Sequence, residues 1–410
     1  MRGHTIGEDA VYRGLNECLS RFTGSVAIED LIGCWSRASG RDLTGWADEW
    51  LRTSGHSTLR FEGGAIIHDN PRTHRIGVGL YDLDGTRLRH RQTIQAEITD
   101  GNQTFARIRF DDHTFAALRT AAMNTGNPLT EAVCWTAAWH AMTSAELPAR
   151  DLVDLITRRL AADPPLPLPG VEILVKRAVA AADLWAPPAE RAVLREPLAT
   201  ALFDTERRTA GPSIRRLLAT GFADSAESSQ QLAAVRDLLA RTAEAPTRWR
   251  LLAALSAKGL VTDEEIETTA ARDPAAGQNW AATYQARRPD RAAKEASWSA
   301  VLDVAADGRW WMARAHADDI WVPGQEDLTT SFRDRYFEET LPRLISLGGQ
   351  DPERAQLTRR LATTLFPITL AEETTVAAVG EALRGQVPAP MRDLLIEREV
   401  TVRAMIAARR

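Results

Sequence analysis

Trp310-Trp311-Met312, His316, Asp318-Asp319 and Trp321 form the densest run of aromatic and acidic residues in the chain. An acidic pair beside an imidazole can take up and return protons. His316, Asp318 and Asp319 are therefore the candidate catalytic residues, and Trp310, Trp311 and Trp321 candidate ligand-binding residues beside them. The two aspartates equally suit a helix-terminal loop. Trp135, Trp139 and His140 make a second candidate ligand-binding set, because aromatic rings and an imidazole suit a small ligand or a peptide. Packing competes with that reading, since both tryptophans fall on one helical stripe with Ala132 and Met142, and His140 lies at its edge. His68, Asp69 and His74 can share a loop, for which a hairpin tip is the ordinary setting.

The histidines are His4, His56, His68, His74, His90, His113, His140 and His316. No two lie four residues apart and none opens an H-E-x-x-H, so neither a metal site nor another cofactor is expected. G-x-S-x-G, P-loop and C-x-x-C motifs are absent, and Gly77 and Gly79 lack the third glycine and helix of a dinucleotide fingerprint. Cys18, Cys34 and Cys134 are too few and too dispersed for a disulfide framework, and read as buried thiols in a reducing compartment. Fifty basic and fifty-five acidic residues are mixed along the chain with no basic stripe, which argues against nucleic acid. With no apolar leader and no membrane-length apolar window, a cytoplasmic protein without membrane contact is expected.

These residues need elements to position them. Residues 7–22 set Val11, Leu15, Cys18 and Leu19 on one helical face, and residues 26–38 do the same with Ile28, Leu31, Ile32 and Trp35. A third helix over 43–53, with Asp42 or Thr44 as its N-cap, carries Leu43, Trp46, Trp50 and Leu51 at helical spacing. From Ser57 the period becomes two. Ile76, Val78 and Leu80 alternate with glycines, Asp84-Gly85 and Asp100-Gly101 are turns, and residues 58–110 read as a small antiparallel sandwich or sheet. Beyond Phe115 the pattern is helical to the end, broken by Pro164–Gly170 and then punctuated by Pro or Gly every fifteen to twenty residues. Helices are expected at 171–185, 191–204, 213–222, 229–243, 247–258, 263–272, 291–305, 328–346, 351–365, 369–384 and 390–408. The fold class is mainly α with a small antiparallel β-sandwich and a C-terminal HEAT- or armadillo-like α-solenoid.

That order resembles the C-terminal half of a bacterial aminopeptidase N. Gly7–Leu15 resembles the family's G-x-x-x-F-x-x-G-L helix, and Ala38–Leu43 with Trp46, Trp50-Leu51 and Ser57-Thr58-Leu59 resembles its exit from the catalytic domain. Leu80-Tyr81-Asp82 resembles a sandwich strand. Ala132–Trp139 and Ala149-Arg150-Asp151 resemble the opening of the helical domain, and Trp321–Leu328 with Arg335-Tyr336-Phe337 a late helical hairpin. The resemblance divides the chain into a helical remnant of the catalytic-domain tail at 1–56, a β-sandwich at 57–112 and a helical domain at 113–410. The family's H-E-x-x-H, glutamate zinc ligand, G-x-M-E-N and catalytic tyrosine have no counterpart here, and Tyr12 inherits no catalytic role.

The resemblance implies an aminopeptidase N-like protein without its own zinc site. It would bind a peptide or small molecule on the concave helical surface, or join a separate catalytic subunit of a split aminopeptidase or a second copy of itself. The alternatives are a scaffold recruited as a different enzyme acting on a peptide or specialised metabolite, and a truncated aminopeptidase without function.

Overall fold

The computed structural model describes residues 6–23, 26–53, 55, 57–62, 65–69, 74–98, 106–162, 166–349 and 351–410. His4, His56 and the Asp100-Gly101 turn lie outside these, as do the side chains of His68 and His74. Two compact units divide the chain, residues 1–140 and 141–410.

The first unit opens with α1 (Glu8–Arg21), α2 (Ile28–Ser39) and α3 (Thr44–Leu51). α1 buries Ala10, Gly14 and Cys18 against α2. Gly14 is required there, because a Cβ on it would stand 2.5 Å from the Trp35 ring and 3.0 Å from the Trp35 backbone. The Trp35 indole donates to the Val11 carbonyl at 3.2 Å. Small residues thus take the packed face. The larger apolar residues expected to be buried do not follow them: Leu15 is exposed, and so is Leu19 at 68%.

α2 ends where Gly40 turns left-handed at φ 70°, a conformation that costs glycine little. Leu43 and Ala47 close a small core with Ile32 and Trp35, and Trp46 packs against it. Leu43, not Asp42 or Thr44, is the residue at the N-cap of α3. Asp42 acts one position earlier, accepting from the Thr44 N–H at 2.9 Å and its hydroxyl at 2.7 Å. Leu51 is exposed, since only the first turn of this short helix reaches the core.

β1 (Ser57–Glu62) pairs antiparallel with β2 (Ala65–His68), while β3 (His74–Asp84) and β4 (Arg87–Ile98) form an antiparallel hairpin. The hairpin turns at Gly85-Thr86, where Gly85 supplies φ 60°. β5 (Ala106–Arg109) departs from the antiparallel expectation and runs parallel to β1 in the three-stranded sheet β2-β1-β5. A parallel pair needs a long crossover, and β2 with the hairpin provides one. Asp111 caps α4 (Asp112–Thr120), accepting from the Thr114 N–H at 2.8 Å, and α5 (Pro128–Thr143) follows.

The second unit is a helical array: α6 (Ala149–Ala161), α7 (Leu168–Ala180), α8 (Arg191–Arg208), α9 (Pro212–Ser225), α10 (Ser229–Arg241), α11 (Ala245–Ala257), α12 (Asp263–Ala271), α13 (Gly277–Arg287), α14 (Arg291–Ala306), α15 (Trp310–Ala317), α16 (Glu326–Arg335), α17 (Leu341–Gly348), α18 (Pro352–Leu365), α19 (Glu373–Arg384) and α20 (Ala389–Ala408). Helices α7, α9, α11, α13, α15 and α18 pack side by side in succession as one layer. Sequence periodicity did not mark α13 or α15. The expected helix over 328–346 is interrupted by a π-helical turn at Tyr336–Thr340, just before Pro342, whose missing N–H disrupts the regular ladder. Trp298, Phe332 and Trp321 form an aromatic core, the first two stacked at 4.9 Å. Among the described residues no helix is long and apolar enough to cross a membrane.

Candidate functional site

The sequence-predicted residues do not converge on one catalytic centre. Trp310, Trp311 and His316 lie on α15, with Asp318 as its C-cap and Asp319 just beyond. Trp311 is 76% exposed and Trp310 partly buried. Trp321 is core: its indole donates to the Leu365 carbonyl at 2.9 Å and its ring meets Trp298 edge-on. Burial holds His316 below the usual imidazole range and Arg309 adds to that; neither aspartate is among the charges acting on it. Asp318 turns back toward Arg314 at 3.4 Å, whereas Asp319 reaches Arg287 on α13 at 2.9 Å. The acid–base group read from the sequence is thus divided between two neighbours.

On α5, Trp135 is buried while Trp139 and His140 are half-buried. The His140 carbonyl accepts from Arg107 at 2.9 Å, which ties α5 to β5. In the β region, Asp69 accepts from the Thr58 N–H at 2.7 Å.

A cluster the sequence did not reveal forms around Asp319. Arg287 stands between Asp319 and Asp224, the latter from the C-terminal end of α9 at 3.8 Å. Tyr284, one turn before Arg287, packs on Trp249 with ring centroids 5.1 Å apart. Its hydroxyl lies in the field of Asp319, Arg287, Arg250 and Asp224, and has no hydrogen-bond partner among the described residues. Lys294 is fully buried beneath, its ammonium donating to the carbonyls of Ala286 at 2.9 Å and Ile320 at 2.8 Å. Five elements, α9, α11, α13, α14 and the loop after α15, contribute to this cluster.

A second polar network lies alongside and is fully paired. Asp183 receives two hydrogen bonds from Arg195, at 2.6 and 2.7 Å; Arg195 also reaches Glu227 at 2.6 Å, and Lys258 donates to Glu227 at 2.7 Å. Burial pushes the Glu227 carboxyl up, but the bonds from Lys258 and Arg195 outweigh it and hold the group below the usual range. This network ties α8, the loop between α9 and α10 and the C-terminal end of α11 to the turn after α7, as a bidentate arginine bridge can.

Residues 100–400 match the family model described as the ERAP1-like C-terminal domain. The chain belongs to this family. It is 26% identical over 447 residues to an aminopeptidase N of Streptomyces lividans, an alignment covering 96% of this chain and 51% of that protein. The crystal structure of Legionella pneumophila aminopeptidase A in complex with aspartic acid shares the fold, with a TM-score of 0.57 at 12% identity over 96% of this chain and 55% of that one. The chain therefore spans about half the length of both relatives.

The zinc chemistry implied by the aminopeptidase N resemblance needs two imidazoles and a carboxylate on one cation. Among the described residues of this ERAP1-like chain, no group of three or more His, Cys, Asp and Glu side chains could hold a metal ion. The described residues do not fit that metal, and no zinc-dependent step is assigned to them.

Proposed function

We propose that this chain is the substrate- and partner-binding helical half of an aminopeptidase N-like assembly, with peptide-bond chemistry residing in a zinc-bearing half that docks on α1. The observation that carries this reading is the apolar stripe Tyr12, Leu15 and Leu19, which occupies successive turns of α1 opposite its packed face. Tyr12 is 61% and Leu19 68% exposed. Burying such side chains is worth about 1.5–3 kcal/mol each, so an open stripe of three is costly unless something covers it. The half-length coverage of the S. lividans aminopeptidase N supports the same occupant: the H-E-x-x-H-bearing half of such an enzyme, in the same polypeptide or a separate one.

The test is an aminopeptidase assay with an aminoacyl p-nitroanilide on this chain, on the H-E-x-x-H-bearing half of an aminopeptidase N, and on the two mixed. Chelator-sensitive cleavage by the mixture that exceeds the sum of the separate halves supports the proposal. A mixture no more active than its parts overturns it. Recruitment to another chemistry through His316 finds less support, because Asp318 pairs with Arg314 and Asp319 with Arg287.

A further inference from the structure

The cluster on α9, α13 and the loop after α15 has the polarity of a binding site. Arg287 is the cation at its base, with its side chain only 16% exposed, whereas the carboxylates that flank it open toward solvent at 24% for Asp224 and 36% for Asp319. Asp319 makes a close ion pair at 2.9 Å, but Asp224 stands 3.8 Å from the guanidinium, longer than a hydrogen bond. Burial accordingly holds the Asp224 carboxyl above the usual range, against the pull of Arg287 and Arg250.

Two further groups are unsatisfied among the described residues. The Tyr284 hydroxyl has no hydrogen-bond partner although the residue is 1% exposed, and Arg287 Nε lacks one as well. A buried polar group without a partner costs about 1–3 kcal/mol, and such groups persist where something else completes them. Asp319 also holds φ 65°, a left-handed backbone that a non-glycine residue adopts at a cost of about 1–2 kcal/mol. That conformation carries its carboxylate to Arg287 while Asp318 turns to Arg314.

The charge that a guest would meet follows from who is already engaged. Arg287 faces two carboxylates, and Lys294 is bonded to two carbonyls beneath the cluster. An anion entering here would meet two carboxylates, and of the nearby cations exposed Arg250 alone stands in no ion pair among the described residues. A cation that donates hydrogen bonds would meet Asp224, Asp319 and the lone pairs of Tyr284. Arg250, exposed on α11, is a further positive group in range and opposes such a guest.

We propose that Asp224, Asp319 and the Tyr284 hydroxyl form a subsite for an alkylguanidinium or alkylammonium group, the charged end of an arginine or lysine side chain. This deepens the substrate-binding reading and rests on it for the identity of the natural ligand. A small probe reads the subsite without the zinc-bearing half, so failure of docking and failure of the subsite are distinguishable.

The experiment is calorimetric titration of the full chain with N-acetyl-L-argininamide, with N-acetyl-L-citrullinamide as the uncharged equivalent and N-acetyl-L-glutamate as the anion. We expect the arginine probe to bind at least about tenfold more tightly than citrulline, the usual scale of a charge-assisted pair. Asp224→Asn and Asp319→Asn should each weaken it about fivefold or more, and Tyr284→Phe about threefold, the loss of one hydrogen bond. Arg250→Ala should strengthen it. Asparagine tolerates the left-handed backbone at 319, so an unchanged thermal midpoint will show that this variant still folds. Equal binding of arginine and citrulline, tighter binding of glutamate, absence of binding, or wild-type affinity in both asparagine variants would each overturn the proposal.

Discussion

Lys294 shows how a single buried charge sets a pH window. Burial drives its ammonium down, Asp319 pulls it back up, Arg287 lowers it further, and the pKa falls from 10.5 to about 8. Between those values the unfolded chain binds the proton that the folded chain has released, so this group adds stability as pH rises through the window. The unfolding free energy of the wild type, minus that of Lys294→Met, is therefore expected to grow from pH 8 to 10.5 in denaturant titrations. A difference that stays flat or shrinks would contradict the assignment. Asp183 is the complementary case, a buried carboxylate whose removal strands a buried guanidinium. Asp183→Ala should cost about 3 kcal/mol, the low end for a broken buried pair, because Glu227 still faces Arg195. A loss below about 1 kcal/mol in the same titration would place the pair among weak surface bridges. Neither the cluster nor this network was legible residue by residue. Asp224, Tyr284, Arg287 and Asp319 converge only after α9, α13 and α15 have packed, and nothing in their local spacing announces it. Asp319 was selected from sequence as an acid beside His316, yet its nearest charged partner is Arg287.

At the scale of elements, periodicity identified most of the helices because their apolar residues recur at helical spacing and Pro or Gly ends them. It failed where that spacing is weak. Trp280 and Tyr284 are the main large apolar positions of α13, and α15 is a single short segment whose tryptophans resembled a ligand site. It also misjudged which side of α1 is packed. Val11, Leu15, Cys18 and Leu19 trace one apolar side, but close approach to α2 selects Ala10, Gly14 and Cys18 instead. Gly14→Ala is the direct test of that geometry. Its Cβ would meet Trp35 at 2.5 Å, and we expect a loss of about 1–3 kcal/mol of stability. An unchanged thermal midpoint would show that α1 and α2 sit further apart. Leu15→Ser, on the open side, should change stability by less than about 0.5 kcal/mol in the same assay.

For the whole molecule, family and fold agree with the sequence reading. The order of elements was legible because helical and strand periods differ, and the aminopeptidase N resemblance rested on motifs in the right succession. Which surfaces meet other molecules was not legible, since exposure depends on which of two apolar sides a helix buries. The central claim is that the Tyr12–Leu15–Leu19 face of α1 seats a zinc-bearing half. Sedimentation velocity on this chain mixed with the H-E-x-x-H-bearing half of an aminopeptidase N measures it most directly, with Leu19→Asp as the paired variant. The account predicts a one-to-one complex for the wild type, weakened at least about tenfold by the charge introduced at Leu19. Independent sedimentation of the two halves, or a complex that forms equally well with Leu19→Asp, would contradict it.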